Sequence, residues 1–257
     1  MTTANNTTLY IDIVNFGQFM RDRESMVSLE SIGKTSEGRD IVMMKISKPG
    51  SGSKPAIWID GGMHAREWIS PATVTYMANK LITNRNGETT DLLDMFDWYI
   101  VPVANPDGYE YTHTSDRFWR KTRSGQGNYY CKKGVDPNRN WDYKWGLSGS
   151  SRDPCSDIYA GPRPFSEPET KALSRKIMSL KSQLKMYLTF HSYSQMWLIP
   201  YGYSKQVKPA DYNELYRLAA QGKTALERTY GTRYRMGTAP DLLYEASGGS
   251  DDWAKGN

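Results

Sequence analysis

The stretch Pro55-Ala-Ile-Trp-Ile-Asp-Gly-Gly-Met-His-Ala-Arg-Glu-Trp68 decides the fold class. Its first six residues form a short apolar run of the buried-strand type, Gly61-Gly62 ends it, and the segment from Pro71 to Leu81 reads as a helix. A strand that ends in a loop and feeds a helix is the repeating unit of an open α/β sheet, and such sheets bind ligands at those strand ends. His64 and Glu67 lie in that loop three residues apart, so on a turn both side chains face one way. An imidazole nitrogen and a carboxylate oxygen so placed can grip one cation. A second β-type run, Lys185-Met-Tyr-Leu-Thr-Phe190, delivers His191 to another strand end. Three protein ligands with a fourth position left open is the pattern of catalytic zinc. A His-x-x-Glu pair by itself is common, and on composition alone two hydrogen-bonded core histidines remain the alternative.

Working outward, strand-like runs at Ser28–Ile32, Ile41–Ile46, Ala56–Asp60, Trp98–Val103 and Lys185–His191 alternate with helical stretches at Ala72–Thr83, Glu167–Ser182 and Asp211–Tyr230. That alternation predicts an α/β fold with a mixed, largely parallel central sheet flanked by helices. Glu167-Pro168-Glu169 is a sensible helix entry, with acid in the first turn. No linker, repeat or low-complexity tract divides the 257 residues, so they read as one domain. The formal charge is +5, but the basic residues are scattered without a nucleic-acid motif, and nucleic acid is not an expected partner. Nothing is apolar for long enough to span a membrane, and no membrane partner is expected.

The chain closely resembles the zinc metallocarboxypeptidases of the pancreatic carboxypeptidase A/B type. The resemblance rests on Asp60-Gly-Gly-Met-His-Ala-Arg-Glu-Trp68, Val103-Ala-Asn-Pro-Asp-Gly-Tyr109, Arg117-Phe-Trp-Arg-Lys-Thr-Arg-Ser124, Asp136-Pro-Asn-Arg-Asn-Trp141, Thr189-Phe-His-Ser-Tyr-Ser-Gln195 and Ala246-Ser-Gly-Gly-Ser250, in order from about Ile32 to Trp253. It implies one zinc ion held by His64, Glu67 and His191, and hydrolysis of the C-terminal peptide bond of peptides or proteins. It implies that Arg120 stabilises the oxyanion forming on the scissile carbonyl, where a preorganised donor is worth roughly 3–4 kcal/mol. Asn138 and Arg139 would hold the substrate's terminal carboxylate, a task for which the arginine fork is suited and lysine is not. Arg66 would be a secondary contact along the groove, and Tyr244 a mobile phenol closing over substrate. Read without the resemblance, Arg117–Arg123 could be a solvated charge run and Asn138-Arg139-Asn140 a turn beside Pro137.

The residue after Ser250 corresponds to the floor of the pocket for the substrate's last side chain. A-type relatives are apolar there and B-type relatives have aspartate; here it is Asp251. A carboxylate there attracts Lys or Arg and is left unpaired against Phe or Leu, so the resemblance is closest to carboxypeptidase B. Two other readings stay open at this point: Asp251 capping a helix, and Asp252 occupying the pocket instead.

The resemblance also implies what should lie elsewhere. The family's general base is a glutamate on a strand C-terminal to Asn257, followed by a final helix, so residues 1–257 are expected to be a catalytic domain without that strand and helix. Glu245 is a poor substitute, since a base must reach the attacked water first. The alternative function is therefore an impaired form that binds zinc and peptide C-termini with little turnover. Residues 1–27 match poorly. The family pairs the cysteines corresponding to Cys131 and Cys155, implying a disulfide worth about 3 kcal/mol on the chain-entropy account and an extracellular, secreted protein. Ser192-Tyr193 and Pro200-Tyr201 fall where the family uses cis bonds. A pro-segment or protein inhibitor is a further expected partner.

Overall fold

The structure, a computed structural model, describes residues 8–50, 52–84, 87–125, 131 and 133–257. Strand β1 (Val27–Lys34) pairs antiparallel with β2 (Asp40–Ile46), which pairs antiparallel with β4 (Asp97–Val101). β4 runs parallel to β3 (Ala56–Asp60), and β3 parallel to β5 (Leu184–Thr189), giving the order β1-β2-β4-β3-β5. The mixed sheet expected from the sequence is therefore present, its parallel half being the part that carries the site. A smaller sheet pairs β6 (Met196–Leu198) with β7 (Arg235–Gly237), also in parallel.

Both faces of the main sheet are covered, which is why β3 and β4 are buried along their whole length. The period-2 alternation of β3 sends Trp58 to one side and Ile57 and Ile59 to the other. On the first side Trp58 packs with Ala172, Leu173 and Ile177 of α5 (Pro168–Ser179) and Trp253 of α8 (Ser250–Gly256). On the second side Ile57 and Ile59 meet Val74 and Ala78 of α2 (Ile69–Thr83), Leu93 of α3 (Gly87–Met95) and Met20 of α1 (Thr8–Arg23). Each fully buried Ile or Leu in these layers contributes about 1.5–3 kcal/mol.

Helix α4 (Pro106–Thr114) follows β4 directly, entered through Asn105, whose side chain accepts from the Gly108 amide 3.0 Å away while proline occupies the first helical position. The long amphipathic α6 (Tyr212–Tyr230) ends at Gly231 in the left-handed region, with φ of 74°. The short α7 (Ala239–Leu242) precedes Tyr244. Both Ser192-Tyr193 and Pro200-Tyr201 are cis, as the resemblance implies. Cys131 and Cys155 are joined, with Cα atoms 4.7 Å apart. No helix among the described residues is long and apolar enough to cross a membrane.

Candidate metal centre and substrate cleft

The end of β3 must pass close against the end of β4, and the two glycines allow it. A Cβ on Gly61 would stand 2.8 Å from Ser70 Oγ and 2.9 Å from Val74 Cγ2; Gly62 has φ of 63°, and its Cβ would meet Val103 Cα at 3.2 Å. Ala104 N and Asn105 N donate back to the Gly61 and Gly62 carbonyls, zipping the two strand ends together. Ser70, one residue into α2, accepts from Gly62 N at 2.9 Å and donates to Phe190 O at 2.6 Å. One hydroxyl thus ties the loop of His64 to the loop of His191.

His64, Glu67 and His191 converge, forming a group able to hold a metal ion. Glu67 Oε1 lies 2.8 Å from His64 Nδ1, and Glu67 Oε2 lies 2.9 Å from His191 Nδ1; the two Nδ1 atoms are 3.0 Å apart. Bonds of about 2.1 Å in a tetrahedron separate ligand atoms by about 3.4 Å, so small outward shifts would admit zinc. Two imidazoles and one carboxylate fit that ion. With three ligands converging, the alternative of two ordinary core histidines is set aside. Among the described residues their other hydrogen-bond and ion-pair partners are Asp136, Arg120, Thr189 and the Ser192 amide.

The electrostatics favour a cation. Burial opposes the Glu67 charge, but His64 and His191 outweigh it and hold the carboxyl far below the usual carboxylate range. Burial likewise pulls His191 down, and Glu67 more than offsets it, so its pKa is raised while no ion is bound. On the far side of His64, Nε2 lies 3.0 Å from Asp136 Oδ1. Asp136 is fully buried, which opposes its charge, yet Arg120 and His64 together keep it well below the usual range. A carboxylate on Nε2 fixes the proton there and leaves Nδ1 as the ligand atom.

Arg120 stands beside this group. Its Nε and Nη2 both donate to Asp136 Oδ2, at 3.0 and 2.8 Å, and Nη1 is 3.8 Å from Glu67 Oε1. Burial works against its charge, but Asp136 and then Glu67 raise its pKa overall, with Tyr244 adding a smaller effect. Tyr244 itself is 58% exposed on the loop after α7.

Arg139 occupies a single 3-10 turn at Pro137–Arg139 and is 3% exposed. Its Nε donates to Gly149 O and its Nη1 to Asn138 O, and no carboxylate among the described residues forms an ion pair with it. Asn138 is locked by its own backbone N–H to Asp136 Oδ1 and by Oδ1 accepting from Ser250 N, both at 2.9 Å. The turn expected from Pro137 is present, and it is the device that presents the two side chains.

Ser250 begins α8, so Asp251 is anchored against Asn138. The hydrogen bonds of this segment bear on both open readings. Asp252 is buried and accepts from Gly202 N at 2.7 Å and Tyr203 N at 2.9 Å, so its carboxylate serves the fold. Asp251 lies in the first turn of α8, whose N-cap residue is Gly249, and among the described residues its carboxylate accepts no hydrogen bond. Arg66 lies on the rim, 3.3 Å from Phe118 O and 3.4 Å from Asp157. Glu245, the poor candidate base, accepts from the Lys205 amide.

The zinc carboxypeptidase (peptidase M14) family profile matches residues 13–257. The chain belongs to the zinc carboxypeptidase family. Carboxypeptidase B of Astacus astacus is 48% identical over 235 residues, 91% of this chain and 77% of that protein. Carboxypeptidase B of Rattus norvegicus is 46% identical over 92% of this chain and 57% of its own length, so this zinc carboxypeptidase chain spans little more than half of that relative. Among solved structures, thrombin-activatable fibrinolysis inhibitor superposes with a TM-score of 0.90 at 39% identity, over 95% of this chain and 62% of that one. Carboxypeptidase A of Helicoverpa armigera gives 0.86 at 33% identity, over 98% and 64%.

Sequence reasoning assigned no role to Asp136, Ser70 or Asn140, although Asp136 and Asn140 stood in a quoted motif. An acid before proline reads as a turn former, and only the folded chain brings it against His64. His113, also without an assigned role, stacks on Trp68 with ring centroids 4.0 Å apart, and Arg117 covers the ring at 3.6 Å.

Proposed function

We propose that the chain is the peptidase domain of a secreted, zinc-dependent carboxypeptidase that releases C-terminal Lys or Arg. The observation that carries this reading is Arg139, a buried guanidinium that feels the Asp136 charge but has no carboxylate at ion-pair distance among the described residues, next to the segment that holds Asp251. A buried charge with no ion-pair partner in direct contact is costly. A peptide's terminal carboxylate would supply that partner, in the bidentate geometry arginine favours, with the Asn138 amide alongside. An internal peptide bond has no such group, which makes the reading an exopeptidase one.

With the terminus seated there, the last side chain points toward the Asp251 segment and the preceding carbonyl toward Arg120 and the His64–Glu67–His191 group. His64, Glu67 and His191 hold the zinc, which supplies Lewis acidity toward the carbonyl oxygen and acidifies water. Arg120, fixed by Asp136, offers positive charge where oxyanion character develops. Tyr244 is free to fold over the bound peptide, and Arg66 meets residues further from the terminus. The Cys131–Cys155 disulfide supports an oxidising compartment. A related enzyme, bovine thrombin-activatable fibrinolysis inhibitor, is known in complex with a tick carboxypeptidase inhibitor, and protein inhibitors of that kind are proposed partners of this cleft.

A second reading has its own observation: apart from the ligand Glu67 and the paired Asp136, no carboxylate among the described residues forms an ion pair with the metal group. A chain that binds zinc and C-termini but turns over little would fit. One experiment separates the two. The zinc-loaded chain is given peptides ending in Arg, in Phe, and in Arg carboxamide. Release of Arg from the first alone supports the peptidase reading with basic specificity. Release of Phe overturns the specificity, and attack on the amide overturns the role of Arg139. Zinc and peptide binding without release establishes the second reading.

A further inference from the structure

The Arg120 segment and the Arg139 segment are separate loops, and the reaction proposed above needs them at a fixed separation. Asp136 joins them directly, through Arg120 and the Asn138 amide, and a second buried side chain braces the same junction from behind. Glu167 immediately precedes α5 as its N-cap residue, yet its side chain makes no capping bond to that helix. The carboxylate turns away instead. Its Oε2 accepts from Thr122 Oγ1 at 2.6 Å and from Ser124 Oγ, two and four residues after Arg120. Its Oε1 accepts from Ser166 Oγ at 2.9 Å. Ser166 Oγ also accepts from Asn140 Nδ2 at 2.9 Å, and Asn140 Oδ1 accepts from the Glu167 amide at 3.2 Å. Asn140 directly follows Arg139.

Glu167 is 3% exposed and has three hydroxyl donors and no cation among its described partners. A helix N-cap residue that makes no capping bond and buries a charge to reach another loop has a use other than starting the helix. The Thr122 hydroxyl it holds also accepts from Val135 N at 2.9 Å, just before Asp136, so the same bond supports the carboxylate that grips Arg120.

We propose that Glu167 is a positioning residue that fixes the Arg120 segment against the Asn138–Arg139 segment; this rests on the reading of Arg120 and Arg139 as substrate groups. Asn140 keeps its bonds to Ala160 O, Arg163 O and Thr170 without the Glu167 carboxylate, so the terminus-binding side stays in place when that carboxylate is altered. The Arg120 side loosens. Loss therefore falls on turnover and spares binding.

The test uses the whole chain with Glu167→Gln, Thr122→Val, Thr122→Ser and the Glu167→Gln/Thr122→Val pair, each checked for zinc content and melting temperature. On a peptide ending in Arg, Glu167→Gln and Thr122→Val each lower kcat about 10–100-fold while KM stays within about threefold, the signature of a displaced transition-state group. Thr122→Ser restores the wild-type rate, and the pair is no worse than the weaker single variant because both break one link. Amide exchange across 119–124 rises in Glu167→Gln and stays unchanged across 139–141. Wild-type kinetics in Glu167→Gln, or a loss that tracks zinc content or melting alone, overturns the proposal. If the wild-type chain binds zinc and releases nothing, the proposed function has failed, and exchange alone then decides: unchanged exchange at 119–124 overturns the link, raised exchange upholds it.

Discussion

Asp136 joins His64 to Arg120: one carboxylate oxygen lies 3.0 Å from His64 Nε2 and the other receives two N–H groups of Arg120. The ligand's tautomer and the guanidinium's aim are thus set by one buried acid. A disturbance at either oxygen reaches both halves of the site.

Replacing Asp136 by Asn keeps the shape and removes the charge. Second-sphere partners of this kind are worth about 10–100-fold in metal affinity or activity. Asp136→Asn is expected to weaken zinc binding by about that factor, measured by competition with a chelator, and to lower kcat further at saturating zinc because Arg120 loses its anchor. Unchanged zinc affinity would mean that His64 is oriented by packing alone.

Asp251→Leu tests the proposed specificity pocket. Removing one partner of a desolvated charge pair costs about 2–5 kcal/mol, so kcat/KM for a peptide ending in Arg is expected to fall by about 30-fold or more. The same change removes an unpaired carboxylate from the path of Phe and Leu, whose release is expected to rise. Asp252→Asn should instead disturb the Gly202–Tyr203 turn it supports, with loss on every substrate.

The sheet and the metal group were legible in the sequence because each has a local signature. Apolar runs closed by Gly61-Gly62 and followed by helical periodicity mark the strand ends, and the His64/Glu67 spacing puts two ligands on one turn. Helices α3 and α4 and the pair β6–β7 left no comparable trace: α3 is short and half polar, α4 takes its start from the Asn105 cap, and each short strand gains its status only from the other. Asp136, Ser70 and Glu167 escaped because their partners lie far away in sequence. A buried carboxylate with three hydroxyls has no periodicity to betray it.

Cys131–Cys155 closes a loop that carries Arg139 and Asn138. Cys155→Ser is expected to cost about 3 kcal/mol in chemical denaturation on the chain-entropy account. Reduction of the wild-type protein should reproduce that loss, and equal stability with and without reductant would deny the bond a role in stability.

Glu169 gives the protein a pH dependence between about 4.5 and 8 that is separate from the site. Burial raises its carboxyl, its own backbone amide partly offsets this, and Glu167 and Asp107 add repulsion, so its pKa is pushed up to about 8 from an ordinary value of 4.5. Its Oε2 has no hydrogen-bond partner, as a carboxyl kept neutral can tolerate better than an ion. Below about pH 4.5 both folded and unfolded chains carry the proton, and the group costs nothing. Between 4.5 and 8 the unfolded chain has released the proton while the folded chain keeps it, so stability falls as pH rises. Above about 8 both are ionised and the full cost, on the order of 5 kcal/mol, is in place. Glu169→Gln mimics the neutral acid at every pH. Unfolding free energies measured from pH 5 to 9 should therefore diverge, the variant gaining on the wild type with each step up. Parallel curves would mean that Glu169 is already ionised in the fold.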